Sequence, residues 1–175
     1  HLRRRWVGVT LALTPRRASQ PKEDANMNVQ SLMTQNPKCC RADDSIKEAA
    51  CLMWECDIGS LPVVDADTRV VGMITDRDIC MATYFQDRPP SQIQVEEAMA
   101  TKIIACRPDD DIKSAERLMQ DNQIRRLPVI DRNGRLLGMI SVNDFARKAA
   151  TDRHLSSPQV GEAGVVTTLA AIAMP

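Results

Sequence analysis

Aromatic residues are nearly absent from this 175-residue chain: two Trp, two Phe and one Tyr, 3% of the total. A core built from it must be aliphatic, drawn from Val, Ile, Leu, Ala and Met. Histidine is scarcer still. His1 and His154 both lie outside 27–150, so a Cys–His nucleophilic pair has no His within that stretch. No Gly-rich phosphate loop of the P-loop kind occurs. No catalytic residue is therefore expected. No apolar run approaches the roughly 20 residues that a membrane helix needs, so no membrane partner is expected and the chain reads as cytoplasmic. An excess of positive charge is missing too. The formal net charge is zero, and residues 27–150 carry −3. Nucleic-acid binding rests on Lys and Arg neutralising phosphates, so no nucleic-acid partner is expected.

Six cysteines fall between Cys39 and Cys106. Their spacing matches no secreted disulfide framework. Cys39 and Cys40 are adjacent, and Cys51 and Cys56 are five apart on one predicted helix, so neither pair resembles a structural zinc site. No metal site is expected, and most thiols read as small buried hydrophobes of a reducing compartment. Residues 1–26 carry +4. Arg3-Arg4-Arg5 followed by Trp6 to Leu13 has the outline of a targeting peptide, but the apolar stretch is short and lacks a strong small-residue cleavage pattern. The segment is expected to be a disordered or non-native N-terminal extension.

What the chain does contain is an internal repeat. Shifted by 66 residues, 41–82 aligns on 107–148 without a gap and with 18 identities in 42 positions. This is a duplication. Each copy predicts the same order. A short strand lies near 38–41 and again near 103–107. A helix follows over 44–57 and 110–122. Ile46, Ala49, Ala50, Met53 and Trp54 form the apolar stripe of the first, and Ile112, Ala115 and Met119 that of the second. Ser45 to Glu48 reads as a capping box. Two strands follow, 60–65 and 69–75, then 126–131 and 135–141, each pair joined by a turn. A last helix closes each copy over 76–85 and 142–151. Pro89-Pro90 interrupts the chain between the copies. The expected division is 1–26 extension, 27–86 first domain, 87–92 linker, 93–150 second domain and 151–175 flexible C-terminal tail.

These residues resemble the CBS (cystathionine-β-synthase type) domain family. The resemblance rests on Ile58-Gly59-Ser60-Leu61-Pro62-Val63-Val64-Asp65, followed by Gly72-Met73-Ile74-Thr75-Asp76-Arg77-Asp78. The second copy repeats both runs, as Ile124 to Asp131 and Gly138 to Asp144. The leads Ser31-Leu32-Met33-Thr34 and Glu97-Ala98-Met99-Ala100-Thr101 are similar to the family's opening segment. The resemblance implies an α+β fold: two tandem β-α-β-β-α domains packed as a pseudo-twofold pair, a Bateman module. It also implies a homodimer, and clefts between the domains that bind AMP, ADP, ATP, S-adenosylmethionine or NAD. Such modules regulate an attached or separate protein, so an unidentified regulated partner is implied as well. The chain is similar to stand-alone bacterial CBS pairs.

The motif Gly-h-h-Thr/Ser-x-x-Asp stands where the last strand of each copy meets its last helix. A helix N-terminus offers unpaired N–H groups and partial positive charge to a phosphate. Thr75 or Ser141 can donate to a phosphate oxygen, and Asp78 or Asp144 can accept from both hydroxyls of a ribose. Gly72 and Gly138 allow ligand or neighbouring backbone to come close. Arg77 in the first copy can reach a phosphate, where the second has Asn143. By the resemblance, Arg126, just before the second Leu-Pro-Val strand, points to the central cleft and contacts phosphate. Adenine is expected around Cys39, Cys40, Ile103 and Ile104, with Pro62 and Pro128 beside the same corner. The same Thr-x-x-Asp pattern is also a plain helix cap. Two alternatives therefore stand beside nucleotide sensing: a ligand-free scaffold acting through protein contacts, and a redox or metal sensor using Cys39, Cys40 and Cys106. An exposed helical face with Ile79, Met81, Ala82, Tyr84 and Phe85 is the expected homodimer surface.

Overall fold

A computed structural model describes residues 27–152 and 160–173. The expected extension 1–26 lies outside the described residues. Two three-stranded sheets form, one per repeat. In the first, β2 (Cys40–Arg41), β3 (Ser60–Val64) and β4 (Val70–Thr75) follow one another, with β3 and β4 as an antiparallel hairpin. The second has β5 (Arg126–Ile130) and β6 (Leu136–Ser141) as the matching hairpin, with β1 (Thr34–Gln35) on its edge.

Helix α1 (Ile46–Glu55) starts where Ser45 and Glu48 close the expected capping box: the Ser45 hydroxyl accepts from Glu48 N, and the Glu48 carboxylate accepts from Ser45 N. These bonds to the ionised form hold the Glu48 carboxyl below its ordinary range. In α3 (Ile112–Asp121) the cap is Asp111, whose carboxylate accepts from the N–H and hydroxyl of Ser114. Helices α2 (Asp76–Gln86) and α4 (Val142–Asp152) close the two repeats. Ile46, Ala49 and Met53 bury the inner face of α1, and Ile112, Ala115 and Met119 that of α3. Both Met stripes are thus core. Trp54, expected on the same stripe, is 88% exposed. One residue past Met53 turns a helical side chain by about 100°, enough to carry it off the buried face.

The two repeats interlock, because each repeat's lead segment packs in the other repeat. Thr34 pairs with Met139 of β6. Its counterpart Ala100 exchanges both main-chain hydrogen bonds with Met73 of β4, at 3.0 and 2.8 Å. Val29 N donates to Asp110 O, and Val95 N to Asp44 O, each at 2.9 Å. Val29 accordingly lies in the second core with Leu127, Ile140 and Phe145. Ile93 and Val95 lie in the first with Ile46, Leu61 and Ile74. A repeat offset reveals that two leads exist, not which hydrophobic face each one covers. The hairpins also meet: Val70 N donates to Gly134 O and Leu136 N to Thr68 O, both at 3.0 Å.

Two further expectations change. The strand near 103–107 shrinks to one bridge, Cys106 with Val129. The tail 151–175 instead contains α5 (Glu162–Ala173), which packs against α3 and α4. Val165 and Thr168 are buried there, and Gln120 of α3 donates to Thr168 Oγ1 at 2.8 Å. The apolar residues of 162–173 are too evenly spread to show one helical stripe, so periodicity missed it.

The lead crossings leave no room for side chains at two glycines. A Cβ on Gly138 would lie 2.6 Å from Met33 Sδ and 2.9 Å from the Thr34 carbonyl; one on Gly72 would meet Met99 Sδ and Ala100 O in the same way. Neighbouring backbone, one of the two expected visitors, fills this space. Gly138→Ala should lower stability by about 1–3 kcal/mol, read as a lower urea midpoint. An unchanged midpoint would mean that the lead does not press on β6.

The hairpin turns offer a second test. Thr68 has φ 63°, left-handed, where its twin Gly134 has φ 80°. A β-branched residue in that region costs roughly 1–2 kcal/mol, partly offset by the greater unfolded-chain entropy of glycine. Thr68→Gly should therefore raise stability, by up to about 1 kcal/mol, in the same urea titration.

Candidate functional site

Two clefts lie between the repeats. The first, about 580 Å³, is lined by Thr75, Arg77 and Asp78 of the first repeat together with Lys102, Ile104 and Arg126. The second, about 380 Å³, is lined by Ser141, Asn143 and Asp144 together with Lys38, Pro62 and Arg126. Both volumes fall in the range of small-molecule sites, roughly 300–1,000 Å³. The 66-residue offset maps most of one lining onto the other: Thr75 onto Ser141, Asp78 onto Asp144, Ala100 onto Thr34. The swapped leads therefore form a wall of each cleft, which ties the site to the crossing.

The floor of each cleft is the start of a helix. In the first, Asp78 Oδ2 accepts from Thr75 N at 2.9 Å and from Thr75 Oγ1 at 2.7 Å, while Asp78 N donates to Thr75 Oγ1 at 3.2 Å. Asp78 Oδ1 has no hydrogen bond among the described residues. In the second, Asp144 Oδ2 accepts from Ser141 N at 2.7 Å and from Ser141 Oγ at 2.6 Å. Asp144 is buried, and its Oδ1 is already taken by the Arg147 guanidinium. The offset places Met81 where Arg147 stands, so the first carboxylate has no such partner. The carboxylate half of the cap is present in both copies, the hydroxyl half in the first, and Asp78 keeps one oxygen free in the first cleft.

Ser60 and Arg126 line both clefts. They are twins under the 66-residue offset, each opposite a capping hydroxyl: Ser60 pairs with Thr75 and Arg126 with Ser141. Arg126 reaches across toward the first repeat, where a Cβ on Gly59 would lie 3.9 Å from its Nη1. Ser60 Oγ is buried with no hydrogen-bond partner among the described residues. A buried hydroxyl left unpaired costs free energy, and this one faces the meeting point of two clefts.

Thr75, Arg77, Asp78, Ser141, Asn143, Asp144, Arg126, Pro62 and Ile104 are brought to cleft walls. Cys39, Cys40, Ile103 and Pro128 are not. Cys40 packs in the first core, and the cleft-facing residue of that segment is Lys38. Lys38 precedes the strand, which begins only at Cys40, so no strand alternation carries from one to the other. Sequence reasoning missed Ser60, Lys38, Lys102, Arg147 and Ile172. Position 60 carried a usable signal, since it is the twin of Arg126. Ile172 had none, because it belongs to α5. No helix among the described residues is long and apolar enough to cross a membrane.

Comparison with known proteins agrees with this architecture. The family model described as "CBS domain" matches twice, at residues 29–84 and 95–151. The CBS domain-containing protein YhcV of Bacillus subtilis (strain 168) is 37% identical over 119 residues, 68% of this chain and 83% of that one. The inosine-5'-monophosphate dehydrogenase of Mycobacterium bovis is 35% identical over 123 residues, 70% of this chain but 22% of the enzyme. Among solved structures, the CBS domain pair of protein MJ0100, in complex with 5'-methylthioadenosine and S-adenosyl-L-methionine, superposes with a TM-score of 0.63. Its identity is 27%, over 69% of this chain and 94% of that one. The swapped leads, the paired hairpins and the twin matches together make this chain a member of the CBS-domain family, a tandem pair.

Proposed function

We propose that the chain is a regulatory module whose inter-repeat clefts bind an adenosine-containing ligand: AMP, ADP, ATP, NAD(H) or S-adenosylmethionine. The observation that carries this reading is the duplicated cap. A hydroxyl and a carboxylate sit at the N-terminus of an eleven-residue helix on the floor of each cleft. Asp78 Oδ1 is free to accept from a ribose diol, and Thr75, Arg77 and Arg126 face the space a phosphate would fill. Ile104 and Met73 give the first cleft an apolar wall suited to adenine. The adenosyl ligands of the MJ0100 pair support the ligand class. The small share of the dehydrogenase that is matched supports a module serving a larger or separate protein, with no chemistry of its own.

The cysteine alternative finds little support. Cys40 and Cys106 lie in separate cores. Burial first, then the nearby Asp44 or Asp110, pushes each thiol up to about 12. A thiol rather than a thiolate is a poor nucleophile and a poor metal ligand. Among the described residues, no group of three His, Cys, Asp or Glu side chains is placed to hold a metal ion. The scaffold alternative predicts no ligand response at all.

A thermal-shift panel of AMP, ADP, ATP, NAD(H) and S-adenosylmethionine decides between sensing and scaffold. With the best ligand, Asp78→Ala should weaken binding at the first cleft roughly 10–100-fold, the value of at least one charge-assisted hydrogen bond. Stability should fall only by a helix cap, about 0.5–2 kcal/mol. Undiminished calorimetric binding in a folded Asp78→Ala/Asp144→Ala chain would leave these carboxylates as caps and sink the ribose role.

Self-association belongs to the same reading. Trp54, Met81, Tyr84 and Phe85 are exposed on the α1–α2 face, and apolar area of this kind marks an interface. Light scattering at micromolar concentration should report a homodimer that Trp54→Lys/Phe85→Lys converts to monomer. A monomer in the unsubstituted chain would refute the pairing.

A further inference from the structure

One guanidinium, that of Arg126, lines both clefts, beside the cations each has for itself: Arg77, Lys102 and Arg125 in the first, Lys38 and Arg147 in the second. In a fully symmetric pair, positions 60 and 126 would carry the same residue and each half would supply one guanidinium at the junction. Here position 60 is Ser and position 126 is Arg, and these two are the residues common to both linings. Arg126 rises from β5 beside Ser141 and extends toward Gly59 of the other repeat. The unpartnered Ser60 Oγ lies at the same junction. One guanidinium gives its planar fork to one phosphate. A second phosphate arriving in the other cleft meets a spent cation and the like charge of the first.

We infer that Arg126 couples the two clefts negatively, and only for ligands that carry a charged 5'-phosphate. Occupation of one cleft by a nucleotide phosphate draws the guanidinium to it and weakens the same ligand in the other. The buried Ser60 hydroxyl donates to whichever phosphate holds the junction. Adenosine, which places no anion there, fills the clefts without this penalty. Each cleft still has its own intrinsic affinity, since Asp144 is tied to Arg147 and Asp78 is not. The coupling is therefore the excess of the AMP gap over the adenosine gap. This inference rests on the adenosine reading of the clefts and adds their regulation by the ligand's charge.

The test is calorimetric titration of the full chain with AMP and, separately, with adenosine. The ratio of second to first dissociation constant should be at least about tenfold larger for AMP. In Arg126→Gln the AMP ratio should fall to the adenosine value, with the first AMP affinity reduced. In Ser60→Arg, which gives each half a guanidinium at the junction, the AMP ratio should narrow while AMP still binds. Equal ratios for the two ligands in the unsubstituted chain would overturn the coupling while leaving the adenosine reading intact. An AMP gap that survives Arg126→Gln would also overturn it. Silence with both ligands would overturn the adenosine reading itself, and this inference with it.

Discussion

Main-chain pairing between each lead segment and the opposite repeat is the constraint on which the rest of this molecule depends. Met73 and Ala100 exchange two hydrogen bonds, and Thr34 stands against Met139 in the same relation. Neither core is complete without the other repeat's lead, because Val29 fills one and Val95 the other. The repeats therefore cannot separate without opening both cores. The clefts inherit that rigidity, since the residues that cross, 34–38 and 100–104, are also their walls. Gly72 and Gly138 are the local condition for it, as the only residue type thin enough beneath the crossing.

The twofold pattern then fails where polar chemistry is concentrated. Asp78 and Asp144 accept the same bonds from the N–H and hydroxyl of Thr75 and Ser141. Beyond the caps the halves diverge. Arg147 occupies the oxygen that Asp78 leaves open, Arg77 faces Asn143, and Ser60 faces Arg126. Duplication supplied two equal frames, and later substitution in the solvent-facing positions made two unequal sites. Substitution of the buried positions would have disturbed the packing, which is why Leu61-Pro62-Val63 and Leu127-Pro128-Val129 still match.

Much of this was legible in the residues. The 66-residue offset, the helix stripes, the hairpins and the Ser45 capping box all depend on local periodicity and hydrogen bonding, and the structure contains them within a residue or two. The capping motif also brought Asp78 and Asp144 to light, because i to i+3 geometry is local. What escaped was non-local or directional. Which core receives Val29 depends on a contact more than 80 positions away, Val29 with Asp110. Whether Lys38 or Cys39 faces the cleft depends on the irregular backbone ahead of β2, which has no period to read. Trp54 was misplaced by a single helical step. Helix α5 could not be anticipated from its own composition, since Val165, Val166, Thr168 and Leu169 point both inward and outward.

That helix changes how the molecule ends. It lies over α3 and α4, while among the described residues nothing covers the corresponding α1–α2 surface, where Trp54, Tyr84 and Phe85 are exposed. A pseudo-symmetric block with two bare ends can add copies at both and grow into a filament, because a heterologous contact that does not close repeats without limit. A block with one end covered cannot. Helix α5 takes away one of the two matching ends, so the self-association proposed above has a single bare helical surface to use.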